Sequence, residues 1–195
     1  PNNDELACKF LGIKLNFKSH FKKLYIKISR AVYSMKQMRH ILDARHLKLL
    51  YNSYIKSNID YACANFTHVC KATWYSIFLL QKQALRIITK AGYRDNTAAL
   101  FRQEEILPIN LLIEFNAIKF MFLYRQGVQP KVFNDVWPLN NNNLRNSDDF
   151  KVKHLPTNAT YLINYPYYYY PTAWNRLPSH IKLIQNKKLF LATWH

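Results

Sequence analysis

Between residues 9 and 56 the chain carries twelve Lys or Arg side chains and a single acid, Asp43. A stretch of one sign cannot be buried, because each charge taken from water without a partner is strongly unfavourable. The charges must therefore cover the surface of whatever this region folds into, and the apolar residues between them must supply an inner face. They do so at helical spacing. Phe21, Leu24, Tyr25, Ile28, Ala31, Val32, Met35 and Met38 form one stripe, and Lys22, Lys23, Lys27, Arg30, Lys36 and Arg39 fall on the other faces. The first half of the chain is thus expected to be a set of basic amphipathic helices. A field of one sign attracts a polyanion, with nucleic acid first and an anionic membrane surface second. An AT-rich coding sequence would also enrich Lys, Asn, Tyr and Ile, but it would not deplete Asp so selectively.

The 195 residues carry a net charge of +17, and 49% of them are apolar. That is ample for a core and argues against a disordered chain. Three glycines, Gly12, Gly92 and Gly127, cannot build a Gly-rich phosphate loop, which excludes a Walker or Rossmann nucleotide site. Three cysteines, Cys8, Cys63 and Cys70, make no disulfide framework and suit a reducing compartment. No apolar run reaches membrane-spanning length, and the N-terminal Pro-Asn-Asn-Asp-Glu has no signal-peptide character. An intracellular location, nuclear or cytoplasmic, is expected, with no secretion and no membrane span.

Alternation of Leu11, Ile13, Leu15 and Phe17 with polar or small residues predicts a short strand over 9–17, whose partner would lie upstream. A helix over 19–39 follows, with Ser19 as its cap. Asp43 opens a second, to about Ser57, with Leu47, Leu50, Tyr51 and Tyr54 as its stripe, and a bent continuation over 58–66. Ile77, Leu80, Ala84, Ile87, Ile88 and Ala91 define a third over 73–91, stopped by Gly92. Thr97 caps a short fourth helix that ends before Pro108. Residues 110–126 form a fifth, apolar nearly all round and ended by Gly127. Beyond residue 128, Asn140–Asn143, six prolines and Tyr167–Tyr170 predict a mostly irregular extension with one short helix near 173–184. The tyrosine run cannot be wholly buried, so one or two of its rings should face a partner. The fold class expected is mainly α, a helical bundle with a short N-terminal strand and an irregular Pro/Tyr/Asn-rich extension. Its divisions would be 1–18, 19–92, 93–127 and 128–195.

Catalytic constellations are scarce. Asp148-Asp149 invites comparison with paired metal-binding aspartates, but its neighbours Asn140–Asn143, Asn146 and Ser147 are loop residues, and a solvated turn is expected. Cys63, His68 and Cys70 lack a fourth ligand and the usual spacing, so no metal site is expected. The more specific signal is basic helices interleaved with aromatics, where Lys and Arg contact phosphates and Tyr or Trp can stack on unpaired bases.

Five segments, in order, resemble the C-terminal part of reverse transcriptases from non-LTR (LINE-type, jockey-like) retrotransposons. Lys9-Phe10-Leu11-Gly12-Ile13, followed by Leu15 and Phe17-Lys18-Ser19-His20, resembles the K-x-L-G strand and W-x-x-H helix start that follow the catalytic core. Leu49-Leu50-Tyr51 with Ser57, Asp60-Tyr61 and Ala62 is similar to L-Y-x-x-x-x-S-x-L-x-Y-G. Leu80-Gln81 through Leu85-Arg86 to Ile88 is similar to L-Q-x-x-x-L-R-x-I, and Leu107-Pro108-Ile109 to L-P-I. Trp174-Asn175-Arg176-Leu177-Pro178 resembles the W-N-x-L-P near the end of such proteins. Tyr61-Ala62 replaces the usual Tyr-Gly, and Phe17 stands where Trp is common.

The resemblance implies a polymerase thumb and C-terminal region, with the strand at 9–17 as the last element of the palm. The catalytic aspartates and their Mg would lie in an upstream palm of the same polyprotein. This chain would hold no cofactor and be inactive alone. It implies binding of an RNA/DNA template–primer duplex, with Lys22, Lys23, Lys27, Arg30, Lys36 and Arg39 as the expected phosphate contacts. Two rivals stand beside it. One is a non-enzymatic basic helical module that binds an anionic membrane surface or a protein partner, and the other is a nonfunctional relic fragment.

Overall fold

The computed structural model describes residues 9–10, 13–14, 17–65, 71–139, 149–150 and 165–192. Over these residues the chain is mainly α-helical. It divides into two compact units, Pro1–Ile109 and Asn110–His195. Residues 93–109 therefore belong with the basic helices and 110–127 with the C-terminal part, where the sequence pattern groups 93–127 together.

The first unit opens with a short strand pair, β1 (Lys9–Phe10) antiparallel to β2 (Ile13–Lys14), with Lys9 opposite Lys14 and Phe10 opposite Ile13. The alternation predicts one continuous strand with an upstream partner; the two segments pair with each other instead. Helix α1 runs Phe17–Met38, so Ser19 lies inside it and is not its cap. Phe17, Phe21, Leu24 and Ile28 follow a four-three-four spacing, and this helical period outweighs the alternation that ends at Phe17. Phe21, Leu24, Ile28, Val32 and Met35 are buried, each worth about 1.5–3 kcal/mol against exposure. Tyr25, assigned to this stripe by the sequence pattern, is 43% exposed.

Helix α2 (Ala44–Leu50) is capped by Asp43, whose carboxylate accepts from the His46 backbone N–H at 2.9 Å. Tyr51–Lys56 then widens into a π-helix, with the Ser57 N–H reaching back to the Asn52 carbonyl, and α3 (Ser57–Asn65) resumes the α-helix. The spacing explains the widening. Leu47, Tyr51, Ile55 and Ile59 are all buried and four residues apart, a period that drifts off one face of an ideal α-helix. The extra residue keeps them aligned and turns Tyr54 outward to 58% exposure, against its place in the predicted stripe.

Helix α4 (Lys71–Ile88) packs against α1, α2 and α5 (Thr97–Gln103) and is the centre of this unit. Phe21 meets Trp74 edge to face at 4.8 Å. The cap of α5 is Asn96, which accepts from the Ala98 N–H, while Thr97 is the buried first residue.

Helix ends in both units share one device. After α4 the Ala91 N–H bonds the Arg86 carbonyl and the Lys90 N–H bonds that of Ile87. After α5 the Ile106 N–H bonds Phe101 and the Glu105 N–H bonds Arg102. After α6 (Ile109–Arg125) the Val128 N–H bonds Leu123 and the Gly127 N–H bonds Tyr124. These are paired C-terminal bonds closed by a left-handed residue, with φ of 56° at Lys90, 52° at Glu105 and 68° at Gly127. The predicted stop at Gly127 is met, whereas the left-handed residue after α4 is Lys90, two positions before Gly92. A side chain in this conformation is strained by about 1–2 kcal/mol. Lys90→Gly and Glu105→Gly are each expected to raise stability by about 1 kcal/mol, read as a higher urea midpoint with an unchanged slope.

The second unit is built on aromatic rings. Phe122 of α6 stacks on Phe190 at 4.1 Å, and Tyr124 meets Trp137 edge to face at 5.3 Å. Around them Phe150, Tyr170, Trp174 and Phe190 are buried, supplied by the Leu139–Phe150 bridge and helices α7 (Pro166–Asn175) and α9 (Lys187–Ala192), with Ile181 of α8 (Ser179–Lys182) packed against the cluster. The tyrosine run expected in an irregular extension is therefore helical. Pro166 occupies the first turn, where no N–H is needed. Pro171, inside α7, deprives the Tyr167 carbonyl of its helical partner, and the Trp137 indole N–H takes that carbonyl at 2.8 Å. Tyr170 is buried, and Tyr167, Tyr168 and Tyr169 are half-buried.

Candidate nucleic-acid interface

Helix α1 presents the expected phosphate contacts. Five of the six residues lie on it, and Arg39 lies in the turn after it. Lys22, Lys23, Lys27, Arg30 and Lys36 are exposed, while Arg39 is half-buried. At 3.6 residues per turn the five share the outward half of the helix in two tracks, Lys23–Lys27–Arg30 and Lys22–Lys36. From Lys22 to Lys36 the helix rises about 21 Å. Exposed Ile26 and Tyr33 lie between them. This is the outer face of a single helix, so it would meet a phosphate backbone from one side. Lys22 also lines a groove between α1 and α4.

Electrostatics set α1 apart from the rest of its unit. The helix holds six Lys or Arg and no acid. Elsewhere in the unit two lysines meet carboxylates. Lys56 pairs with Asp60 at 2.7 Å, and Lys48 lies 3.6 Å from the Glu104 carboxylate while donating to the Glu104 carbonyl. Asp43 pairs with His46 at 2.6 Å, and the hydrogen bond from the His46 backbone holds its carboxyl below the usual range. Partial burial holds His20 below the usual imidazole value, so it adds little charge to α1 at neutral pH.

The segments that carry the resemblance fall at structural junctions. Gln81 is fully buried. Its amide donates to the Tyr51 hydroxyl and to the Leu107 carbonyl, each at 2.9 Å, and its carbonyl accepts from the Ile109 N–H at 3.0 Å. Tyr51, Leu80-Gln81 and Leu107-Pro108-Ile109 thus meet in one network. Burial pushes the Tyr51 hydroxyl up to about 12, so it stays neutral. In the second unit Trp174 fills the core. The Asn175 amide accepts from the Phe150 N–H at 3.0 Å and donates to its carbonyl at 2.9 Å, as a neighbouring strand would.

The remaining candidates divide differently. Asp149, half of the acidic pair, is bound by the buried Lys182 ammonium at 2.6 Å, which makes it a structural partner and not a solvated turn residue; Asp148 lies outside the described residues. Cys63 is a buried thiol, its pKa raised first by burial and then by Asp60, while His68 and Cys70 lie outside the described residues. Among the described residues no cluster of His, Cys, Asp and Glu is arranged to hold a metal ion. Sequence reasoning missed Tyr25, Ile26 and Tyr33 as surface residues of the basic helix. Their one signal was position, since each lies off the four-three track of the buried stripe.

A scan of protein-family models, a search of curated proteins and a search of solved structures each gave no match.

Proposed function

We propose that the chain is the thumb and C-terminal portion of an RNA-directed DNA polymerase of the non-LTR retrotransposon type, and that it holds the template–primer duplex by its phosphates. One observation carries this reading: an acid-free helix whose outward half bears two tracks of Lys and Arg. Such a ridge suits a regular polyanion, and its binding is driven by release of counterions from the nucleic acid. A-form hybrid duplexes are recognised by shape and backbone, so no base-reading side chain is required. The five resembling segments are its second support.

In this role Lys23, Lys27 and Arg30 neutralise successive phosphates while the core beneath them fixes their spacing. The chain makes and breaks no bonds. Nucleotidyl transfer, its aspartates and its Mg belong to an upstream palm of the same polyprotein, which is the partner the reading requires, in the nucleus or cytoplasm. No helix among the described residues is long and apolar enough to cross a membrane.

Exposed Ile26 and Tyr33 favour a second reading, a basic module on an anionic membrane surface. Peripheral helices insert an apolar face, however, and the apolar stripe of α1 is already spent on the core. Binding of the full chain to an RNA/DNA hybrid and to phosphatidylserine vesicles at equal salt separates the two. The hybrid is expected to bind at least about tenfold more tightly. Tighter vesicle binding would overturn the thumb reading.

A further inference from the structure

We propose that the groove between α1 and α4 holds an unpaired nucleotide, beside the outward ridge that meets the duplex and sharing Lys22 with it. The proposal rests on the reading of the chain as a nucleic-acid-binding unit and adds a second kind of site to it. The groove is open and offers about 690 Å3, within the range of sites that take a small organic ligand. Its α1 wall is Phe21, Lys22 and Tyr25; its α4 wall mixes Thr73, Ser76 and Gln83 with apolar residues such as Ile77 and Leu79. No acid lines it. The pattern fits the three parts of a nucleotide. Tyr25, 43% exposed, offers a ring on which a base can stack. Ser76 and Gln83, exposed and seven residues apart on α4, present a hydroxyl and an amide that can both donate and accept, as a splayed base edge requires. Lys22, exposed on the rim, can meet the phosphate. The α4 wall sets apolar side chains such as Ile77 and Leu79 beside hydroxyl and amide groups, a mixed lining that suits the apolar face and polar edge of a base.

The test uses fluorescence anisotropy of the full chain with a labelled oligouridylate and with a labelled blunt RNA/DNA hybrid at one salt concentration. Tyr25→Ala is expected to weaken oligouridylate binding about ten- to hundredfold and leave hybrid binding within about twofold. Tyr25→Phe should keep both affinities. Ser76→Trp, which fills the groove from an exposed position, should abolish the oligouridylate site alone. Circular dichroism melts check that each variant folds. Equal losses on both ligands, or no loss on oligouridylate, would overturn the groove. If oligouridylate binding instead disappears with Lys23→Glu, Lys27→Glu and Arg30→Glu and survives Tyr25→Ala, single strands use the ridge; the groove then fails while the ridge stands. Failure of the wild-type chain to bind either ligand overturns both.

Discussion

Replacing Gln81 by Met is expected to lower the stability of the first unit by about 2–4 kcal/mol. Met keeps the volume and the apolar packing, so the loss reports hydrogen bonds and not a cavity. The Ile109 N–H, wholly buried, would lose its acceptor, and the Leu107 carbonyl and Tyr51 hydroxyl would each lose a donor. An unsatisfied buried polar group costs about 1–3 kcal/mol, which is a large share of the 5–15 kcal/mol that holds a typical domain. Urea unfolding of the full chain followed by circular dichroism measures it. Tyr51→Phe removes one acceptor and should cost about 1 kcal/mol, and the double variant should lose less than the sum because the two share a bond. A loss below about 1 kcal/mol for Gln81→Met would show that the network does not hold this junction.

The second large effect is expected at Lys182. Its ammonium is buried between the Asp149 carboxylate at 2.6 Å and the Asn175 carbonyl at 2.9 Å, while its own carbonyl accepts from Arg125 at 2.7 Å. Lys182→Met leaves the Asp149 carboxylate poorly solvated and without its partner, and a loss of about 3–5 kcal/mol follows. Asp149→Leu in the same chain removes the orphaned charge and should restore most of that loss, because a buried ion pair gains little over an apolar pair. The measure is the urea midpoint of the second unit, read from its tryptophan fluorescence. If the double variant is no more stable than Lys182→Met alone, the cost comes from packing around Lys182 and not from the charge.

The apolar period made the buried stripes legible. Leu47, Ile77, Leu80, Ala84 and Met35 stand where helical spacing puts them, and Asp43 caps as its side chain allows. What local sequence could not show was tertiary in origin. The four-residue spacing of Leu47, Tyr51, Ile55 and Ile59 reads as a broken α pattern, and only the packing of all four on one face selects a π-helix. Lys90 and Glu105 carry no sign of left-handed backbone, since the chain after each helix imposes it. Pro166 and Pro171 read as punctuation of an irregular tail. The rescue of the Tyr167 carbonyl comes from Trp137, thirty residues away, and is invisible to a local reading. The candidate site was the reverse case. The charge of α1 was plain from composition, but the exposure of Tyr25, Ile26 and Tyr33 required the fold.

The salt dependence of hybrid binding tests the central claim most directly. Log affinity for a blunt RNA/DNA hybrid is plotted against log salt for the wild-type chain and for the Lys23→Glu, Lys27→Glu, Arg30→Glu variant. Each phosphate contact contributes about 0.9 to the slope, so the variant should be flatter by roughly 2 to 3 and bind much more weakly at low salt. A slope equal to that of the wild type would show that the outward face of α1 touches no phosphate.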